Sequence, residues 1–344
     1  MKITKNLLFA VIVVVLLISE NSFAQTNPKQ ILDEVFKKSK EISLYSARIN
    51  WDELQKKVYA KAENAKTIND LKPAFETLLN GLGDKHGKIS NAKDYSVIAN
   101  FTDWKNLNHP DKRPREDEIW NVVNDRNAQF SYKILRGNVG YLKIVGIAPN
   151  VDIEAESKKI RAAVNELSGK KISRWIIDLR YNGGGNMHPM MAGIAPLVGD
   201  GIVGGLVNLK GEKQFDWEIK NGNFIYGGFQ AANLPNEPKF KKLPKIAVLT
   251  SRFTVSSGEI VATTLKGRPN TKFFGESTGS YTTNNSWEII DNTVVVVIST
   301  GIFADRNGKS YEINIPVDVE IPFKIMAETE QDECVIAAKK WLKN

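Results

Sequence analysis

Short apolar strands alternate with amphipathic helices from residue 138 onward, and this alternation constrains the fold more than any other feature of the sequence. The strand segments read "GYLKIVGI", "RWIIDLR" and "KIAVLT", and the helical segments include "VDIEAESKKIRAAVNELSG" and "GEIVATTLK". Strands separated by helices form β-α-β units, in which the strands run parallel within one sheet. The sequence therefore predicts an α/β fold built on a mainly parallel sheet.

Two hairpin signals interrupt this alternation. The segment "FDWEIKNGNFIYGG" carries an Asn-Gly pair between two strand-like runs, which is typical of a tight β-turn. The segment "WEIIDNTVVVVIST" predicts a second hairpin further along the chain. We expect the first hairpin, within a segment near 205–240, to form a cap over a cleft.

The first 24 residues have the pattern of a secretory signal peptide. Lys2 and Lys5 precede the apolar run "LLFAVIVVVLLI", and the small residues Ser22 and Ala24 stand at positions −3 and −1 of a cleavage site. The apolar run is shorter than the roughly 20 residues that span a bilayer, so a membrane anchor is disfavoured. We predict that residues 1–24 are removed, and that the mature protein is exported to the periplasm or the extracellular space without a stable membrane span.

The region that follows predicts a small helical N-terminal domain over residues 25–85, with a core domain over residues 86–344. Asn50 and Thr67 are candidate N-caps for two of its helices. The polar stretch 90–130 is shorter than a peptide-binding module of ~80–100 residues, so no PDZ domain is expected.

Composition excludes several classes of function. The single cysteine, Cys334, allows no internal disulfide and provides no thiolate pair for a zinc site. The net charge is +8, but basic and acidic residues are interleaved, as in "DKRPREDE". Such a pattern is typical of a solvated surface and does not indicate a nucleic-acid partner. We expect no metal and no organic cofactor, and the sequence leaves the oligomeric state open.

Two junctions between a strand and a helix carry residue types found in hydrolytic sites. In "DLRYNGGGN" three successive glycines let backbone amides converge on one point, which suits an oxyanion hole, a phosphate loop without its usual Gly-Lys-Ser/Thr ending, or a simple turn. In "TVSSGEI", Ser256 and Ser257 stand between a strand and a helix, where a serine is either a nucleophile or an ordinary N-cap. Each motif alone leaves its alternatives open.

Taken together and in this order, the motifs resemble the C-terminal processing, or tail-specific, serine peptidase family. That family has a hydrophobic strand followed by Asp-Leu-Arg-x-Asn-x-Gly-Gly, then a Ser-Ala-Ser-x-Glu-like segment, then Gly-Glu-x-Thr-x-Gly. This chain has "WIIDLRYNGGGN", "TVSSGEI" and "GESTGS" in the same order, and the resemblance covers about residues 84–322. It implies a crotonase/ClpP-like peptidase core and serine peptidase activity.

The resemblance also assigns roles to residues of the second junction and the glycine loop. It implies that Ser256 is the nucleophile and that Glu259 is the glutamate that accompanies it. It further implies an oxyanion hole formed by the N–H groups of Gly183, Gly184 and Ser257.

The identity of the general base distinguishes two branches of the family. Many members use a lysine just after Gly-Glu-x-Thr-x-Gly, where this chain has Tyr281, and a phenol with an ordinary pKa near 10 is a poor base at neutral pH. The branch that includes the nisin-resistance protein and the tricorn core uses a Ser–His dyad, with its histidine in an Asp-x-His segment. The segment "LGDKHGKIS" matches, so we expect His86 to be the base.

The remaining residues near these motifs receive supporting roles. Glu259 is a candidate to orient His86, although a carboxylate at a helix N-terminus is an equally good explanation of that residue. We expect His188 and Tyr281 to contact the substrate, and His109 to lie on the surface.

These observations predict an exported serine endopeptidase that hydrolyses peptides or unfolded proteins through an acyl-enzyme. Two alternatives stay open on sequence alone. A catalytically inactive relative would bind peptides or apolar ligands in the same cleft. An acyl-thioester enzyme of the crotonase type would share the core but would require coenzyme A.

Overall fold

The computed structural model describes residues 27–103, 116–325 and 329–344. The predicted signal peptide, residues 1–24, and His109 lie outside these ranges. Within them, none of the helices combines the length and the apolar character needed to cross a bilayer.

The described helices and strands have the following bounds. The helices are α1 (Pro28–Ile42), α2 (Trp51–Ala60), α3 (Lys72–Leu82), α4 (Glu116–Val123), α5 (Ile153–Gly169), α6 (Met187–Val198), α7 (Ser257–Leu265) and α8 (Glu333–Lys343). The strands are β1 (Lys88–Asn91), β2 (Val97–Asn100), β3 (Ser131–Leu135), β4 (Val139–Lys143), β5 (Arg174–Asp178), β6 (Gly201–Val207), β7 (Lys213–Lys220), β8 (Asn223–Tyr226), β9 (Lys245–Thr250), β10 (Thr271–Gly275), β11 (Thr283–Ile290), β12 (Val294–Asp305) and β13 (Val319–Glu320).

The predicted parallel sheet has the strand order β13-β10-β9-β5-β4-β3, in which only β3 pairs antiparallel with its neighbour. Both faces of this sheet are covered. Trp175 and Ile177 of β5 pack with α5, α6 and α7, whereas Ile176 faces α8. Strands buried on both faces have nearly continuous apolar runs, and this is why the centre of "RWIID" lacks an alternating pattern.

A second sheet of seven strands is antiparallel, with the order β2-β1-β12-β6-β7-β8 and with β11 paired to β12. Both predicted hairpins belong to it. Lys220 pairs with Asn223 across Asn221 and Gly222, whose φ values of 51° and 69° match the left-handed turn that twisted hairpins require. Helices α6 and α7 lie between the two sheets, because they contact strands of both.

The segment predicted to be helical contains α1, α2 and α3, and these helices pack against β12. Phe75 and Leu78 of α3 share one hydrophobic core with Val294, Val296 and Ile298. The predicted domain boundary at residue 85 stays a prediction, since the helices and the core share this packing.

The two N-cap predictions for this region have different outcomes. The side chain of Asn50 accepts the N–H of Glu53 and caps α2, as predicted. Thr67 does not cap α3 itself but the 3-10 turn Asn69–Leu71 that leads directly into α3, because its Oγ1 accepts the N–H of Asp70 at 3.3 Å. The carboxylate of Asp70 in return accepts the N–H groups of Lys66 and Thr67, so the two side chains cap the turn reciprocally.

The hairpin of β7 and β8 packs around a side chain of the cleft. Phe224 and Tyr226 of β8, with Phe229 just beyond it, surround the ring of His188. The hydroxyl of Tyr226 donates to Oδ1 of Asn284 at 2.5 Å, which fastens the hairpin to β11. Its role as a cap stays a prediction.

Candidate active site

A cavity of about 1030 Å³ lies at the carboxyl ends of β5 and β9. Among the segments that line it are four that carry the predicted site residues: the loop containing His86, the glycine loop and start of α6, the start of α7, and the segment from Tyr281 to Trp287. Ligands of parallel α/β sheets bind outside the carboxyl ends of the strands. The cavity therefore combines the usual location with the residues that the sequence motifs indicate.

Ser256 occupies the turn between β9 and α7 in a strained backbone conformation. Its φ is 53° and its ψ is −116°, which is uncommon for a residue with a side chain. Its N–H donates to Oε2 of Glu259 at 2.9 Å. A strained serine at a sharp strand-to-helix turn, beside a cleft, has the geometry of a nucleophile elbow.

The glycine loop packs against this turn with no room for a side chain at Gly184. Gly184 has a φ of +91°, and a Cβ on it would lie 2.9 Å from Cβ of Ser256 and 3.2 Å from the carbonyl oxygen of Val255. The hydroxyl of Ser257 donates to the carbonyl oxygen of Gly185 at 2.6 Å. Glycine is therefore required at position 184 both for conformation and for space.

The N–H groups around the serine turn differ in their hydrogen bonds. The N–H of Gly184 donates to Oδ1 of Asn182 at 3.0 Å. Within the described part of the chain, the N–H groups of Gly183 and Ser257 have no acceptor. These two amides border the cavity beside Ser256 and are available to a negatively charged oxygen.

His86 lies in the loop between α3 and β1. Gly83 ends α3 in a left-handed conformation with a φ of 68°, and the chain then turns towards the cavity. Nδ1 of His86 lies 3.0 Å from Oγ1 of Thr283. The imidazole also packs edge-on against the ring of Tyr281, with ring centroids 5.2 Å apart. Its position is thus set by β11 and by the loop before it.

A buried carboxyl group lies two residues before His86. Asp84 accepts the N–H of Ser299 at 2.8 Å and the hydroxyl of Ser299 at 2.7 Å, as well as the N–H of His86 at 3.2 Å. Burial raises the pKa of Asp84, whereas the hydrogen bonds from Ser299, His86 and Gly87 oppose this rise. Asp84 therefore fastens the histidine loop to β12.

Glu259 connects the serine turn with the loop before β11. Its Oε1 accepts the hydroxyl of Thr278 at 2.5 Å and the N–H of Ser280 at 3.1 Å. Its Oε2 accepts the N–H groups of Ser256 and Tyr281, both at 2.9 Å. The carboxylate thus orders the backbone on either side of the cavity, and its predicted role in orienting His86 stays a prediction.

His188 and Tyr281, the two predicted substrate contacts, both line the cavity. The N–H of His188 donates to the N-cap Asn186, and its imidazole lies among Phe224, Tyr226 and Phe229 at centroid distances of 5.7–6.2 Å. Nδ1 of His188 is buried, and no described residue pairs with it. Burial lowers the pKa of His188, so its neutral form is favoured at the cavity wall.

Sequence reasoning missed Thr283 and Ser299, because a threonine and a serine in strands carry no pattern of their own. Only the preference of strands for β-branched residues could have placed Thr283 in β11. No group of three or more metal-ligating side chains occurs among the described residues.

A serine in a strained turn, a histidine at the same cavity and a glycine loop in contact with the serine are the components of a serine-type peptidase. Comparison with known proteins leads to the same class. The chain belongs to peptidase family S41, whose family model matches residues 138–321. It is similar to the nisin-resistance protein of Lactococcus lactis subsp. lactis, with 27% identity over 295 residues that cover 86% of this chain and 83% of the relative.

Solved structures share the fold. A lipoprotein from Streptococcus agalactiae matches with a TM-score of 0.69 at 21% identity, covering 92% of this chain and 96% of that one. The photosystem II D1 C-terminal processing protease matches with a TM-score of 0.58 at 13% identity, covering 86% and 94%. The predicted membership of the tail-specific peptidase family, the mixed α/β fold and the serine peptidase class are confirmed.

Proposed function

We propose that this serine peptidase is an exported endopeptidase that acts through an acyl-enzyme on Ser256, with His86 as its general base. The observation that carries the proposal is the strained turn of Ser256 at a cavity that His86 also lines. Strain at a functional residue persists only where the surrounding structure enforces it, and here Glu259 and the glycine loop do so.

The proposed reaction follows the general serine peptidase scheme. His86 accepts the proton of the Ser256 hydroxyl while Oγ attacks the carbonyl carbon of the substrate, and the same proton then passes to the leaving amine. Water subsequently hydrolyses the ester that remains on Ser256. The imidazole of His86 must therefore be neutral before Ser256 attacks, charged after the attack, and neutral again once the leaving amine has taken the proton.

We assign the oxyanion hole to the N–H groups of Gly183 and Ser257, which have no acceptor among the described residues. Removing one oxyanion donor typically lowers turnover by roughly 100- to 1000-fold. Gly184, which sequence analysis included as a donor, would first have to release Asn182. We therefore assign Gly184 to keeping the loop in contact with Ser256.

Two other residues at the cavity are weaker candidates for the base. Tyr281 has a phenol in place of the lysine of other family members, and its ring packs on His86. His188 is partly buried among aromatic rings, which lowers its pKa and weakens it as a base. We propose that both contact the substrate.

The cavity supports a peptide substrate. Its walls are mainly apolar, with Lys85, Lys88 and Asp117 as the charged side chains among the described residues that line it. The exposed indole rings of Trp120 and Trp287 also line it and offer apolar contact area. We propose that the enzyme binds extended or unfolded peptide segments, on a crotonase/ClpP-like core without a PDZ domain.

Export is proposed from the signal-like residues 1–24. The similarity to a nisin-resistance protein and to a lipoprotein supports a location outside the cytoplasm, in the periplasm or the extracellular space.

Labelling with a fluorophosphonate, followed by peptide mapping, tests the proposal. We expect the wild-type protein to be labelled on Ser256 and to cleave an unfolded protein, whereas Ser256→Ala does neither while keeping a wild-type circular dichroism spectrum. His86→Ala should be labelled at a much lower rate. A folded wild-type protein that is neither labelled nor active on peptides would instead indicate an inactive peptide-binding relative, and labelling at another residue would refute the assignment of Ser256.

A further inference from the structure

A chain of three hydrogen bonds leads from a buried carboxyl group to the imidazole of His86. Oδ1 of Asp84 lies 2.7 Å from Oγ of Ser299, and Oγ of Ser299 lies 3.0 Å from Oγ1 of Thr283. Oγ1 of Thr283 in turn lies 3.0 Å from Nδ1 of His86. Asp84, Ser299 and Thr283 are all buried, so water does not compete strongly for these bonds.

The hydrogen-bond partners of these groups give the chain a direction. Backbone N–H groups can only donate, and both oxygens of Asp84 accept one, Oδ1 from His86 and Oδ2 from Ser299, so the carboxyl group acts here as an acceptor. The hydroxyl of Ser299 has a single proton, and the carboxylate at 2.7 Å is a stronger acceptor than Oδ1 of Asn285 at 3.2 Å.

With its proton directed to Asp84, Oγ of Ser299 can only accept the proton of Thr283. Oγ1 of Thr283 has then no further proton to offer, and it must accept a hydrogen bond from the imidazole. The direction therefore runs from Nδ1–H of His86 to Thr283, from Thr283 to Ser299, and from Ser299 to Asp84.

We infer that Thr283, Ser299 and Asp84 form a positioning relay that holds neutral His86 in the tautomer protonated on Nδ1, with its lone pair on Nε2. A neutral imidazole carries its proton on one nitrogen and accepts on the other. Only the tautomer with a lone pair on Nε2 can take the proton of Ser256 while Nδ1 stays bonded to Thr283. The inference deepens the proposed function and rests on it for its effect on catalysis.

The relay differs from an Asp–His contact in that two hydroxyl groups separate the carboxylate from the ring. Asp84 and Ser299 do not line the cavity, and Thr283 reaches the reacting atoms through its hydrogen bond to Nδ1 of His86, so the relay acts through His86. A purely structural explanation also exists, in which Asp84 and Ser299 merely fasten the loop to β12. In that case the hydroxyl of Thr283 would have no influence on which nitrogen of His86 carries the proton.

Substitution of Thr283 separates these explanations. Thr283→Val keeps the shape of the side chain and removes the hydroxyl, whereas Thr283→Ser keeps the hydroxyl. Thr282→Val is a matched control, because Oγ1 of the neighbouring Thr282 is buried and has no partner among the described residues. Ser299→Ala provides a second route should Thr283→Val fold poorly, since it removes the acceptor that directs the Thr283 proton.

The primary readout is the tautomer of His86, from long-range ¹H–¹⁵N correlations of protein labelled with [¹⁵N]histidine. The chain has three histidines, and His86→Gln identifies the resonance of interest. We expect the Nδ1–H tautomer in wild type, Thr283→Ser and Thr282→Val, and a mixture of tautomers in Thr283→Val and Ser299→Ala. The rate of phosphonylation of Ser256 should fall about 10-fold in the latter two, which corresponds to the net value of one hydrogen bond.

The outcomes distinguish this inference from the proposed function. If Thr283→Val and Ser299→Ala retain the Nδ1–H tautomer and the wild-type rate, the relay is refuted while the Ser–His pair stands. If His86→Ala is as reactive as wild type, the proposed function fails, whereas a tautomer shift in Thr283→Val would still establish the relay.

Discussion

Substituting Gly184 by alanine probes the contact between the glycine loop and the nucleophile. A Cβ at this position would lie 2.9 Å from Cβ of Ser256 and 3.2 Å from the carbonyl oxygen of Val255. Carbon atoms in contact normally lie about 3.5–4.0 Å apart, so one side must move by at least roughly half an ångström. Because the other side is the backbone of the nucleophile turn, we expect Ser256 to be displaced.

The Gly184→Ala substitution should affect both stability and reactivity, and each effect has its own measurement. Forcing a residue with a side chain to a φ of +91° costs on the order of 1–2 kcal/mol in the free energy of unfolding. A displacement of up to ~1 Å in a reacting group can cost about 100-fold in rate. We therefore expect Gly184→Ala to lower the free energy of unfolding moderately and to lower the rate of phosphonylation of Ser256 by about 10- to 100-fold.

Alanine variants of two further glycines separate the effect of backbone strain from the effect of the contact with Ser256. Gly211 has a φ of +78° but nothing lies within 4 Å of its Cβ position, so Gly211→Ala introduces backbone strain without contact. Gly169, at the end of α5, has neither a positive φ nor a close neighbour. Urea denaturation and phosphonylation rates are measured for all three alanine variants. A Gly184→Ala enzyme that reacts as fast as Gly211→Ala would refute the role of this contact.

Three other outcomes follow from the structure. Ser256→Ala and His86→Ala should each lose most of the peptidase activity, and the double variant should be little worse than either, because residues that act as a unit are not additive; a product of the two single effects in kcat/KM would contradict this. Burial alone would raise the pKa of Asp178, but the Arg180 guanidinium 2.7 Å away holds this pKa below its ordinary value. The stabilisation from this ion pair is therefore fully present above the ordinary pKa of an aspartate and is lost as the pH falls through the lowered pKa of Asp178. Arg180 also bonds Asp332 of the α8 N-cap, so Arg180→Leu should cost about 3–5 kcal/mol in urea denaturation at pH 7, and a loss below 1 kcal/mol would contradict this. Burial raises the pKa of the Cys334 thiol to about 12, so 5,5′-dithiobis(2-nitrobenzoate) should react with it only after unfolding, and rapid reaction of the native protein would contradict the burial.

The parallel sheet could be predicted because its signal is local. Strands such as "RWIID" and "KIAVLT" have a continuous apolar centre, since both faces of each strand are covered. Glycines 183–185 and Ser256 could be singled out locally only as candidates, because they stand at strand-to-helix junctions, and it is the order of the motifs along the chain, in its resemblance to the peptidase family, that selects Ser256 as the nucleophile. In contrast, β1 and β2 arise from a polar stretch, and nothing within that stretch indicates that β1 pairs with β12, some 200 residues later in the chain.

The histidine side of the site depends on this long-range pairing. Lys88 pairs with Val297 in the antiparallel ladder of β1 and β12, and continuing that register by two residues brings His86 level with Ser299. On the other side of β12, Asn285 pairs with Ser299, which brings Thr283 of the same strand into hydrogen-bond range of both. A slip of one residue in a β-ladder turns every side chain to the opposite face. The register of β12 thus decides which hydroxyl meets the imidazole, and the motif "GDKHG" could identify His86 without indicating the residues that orient it.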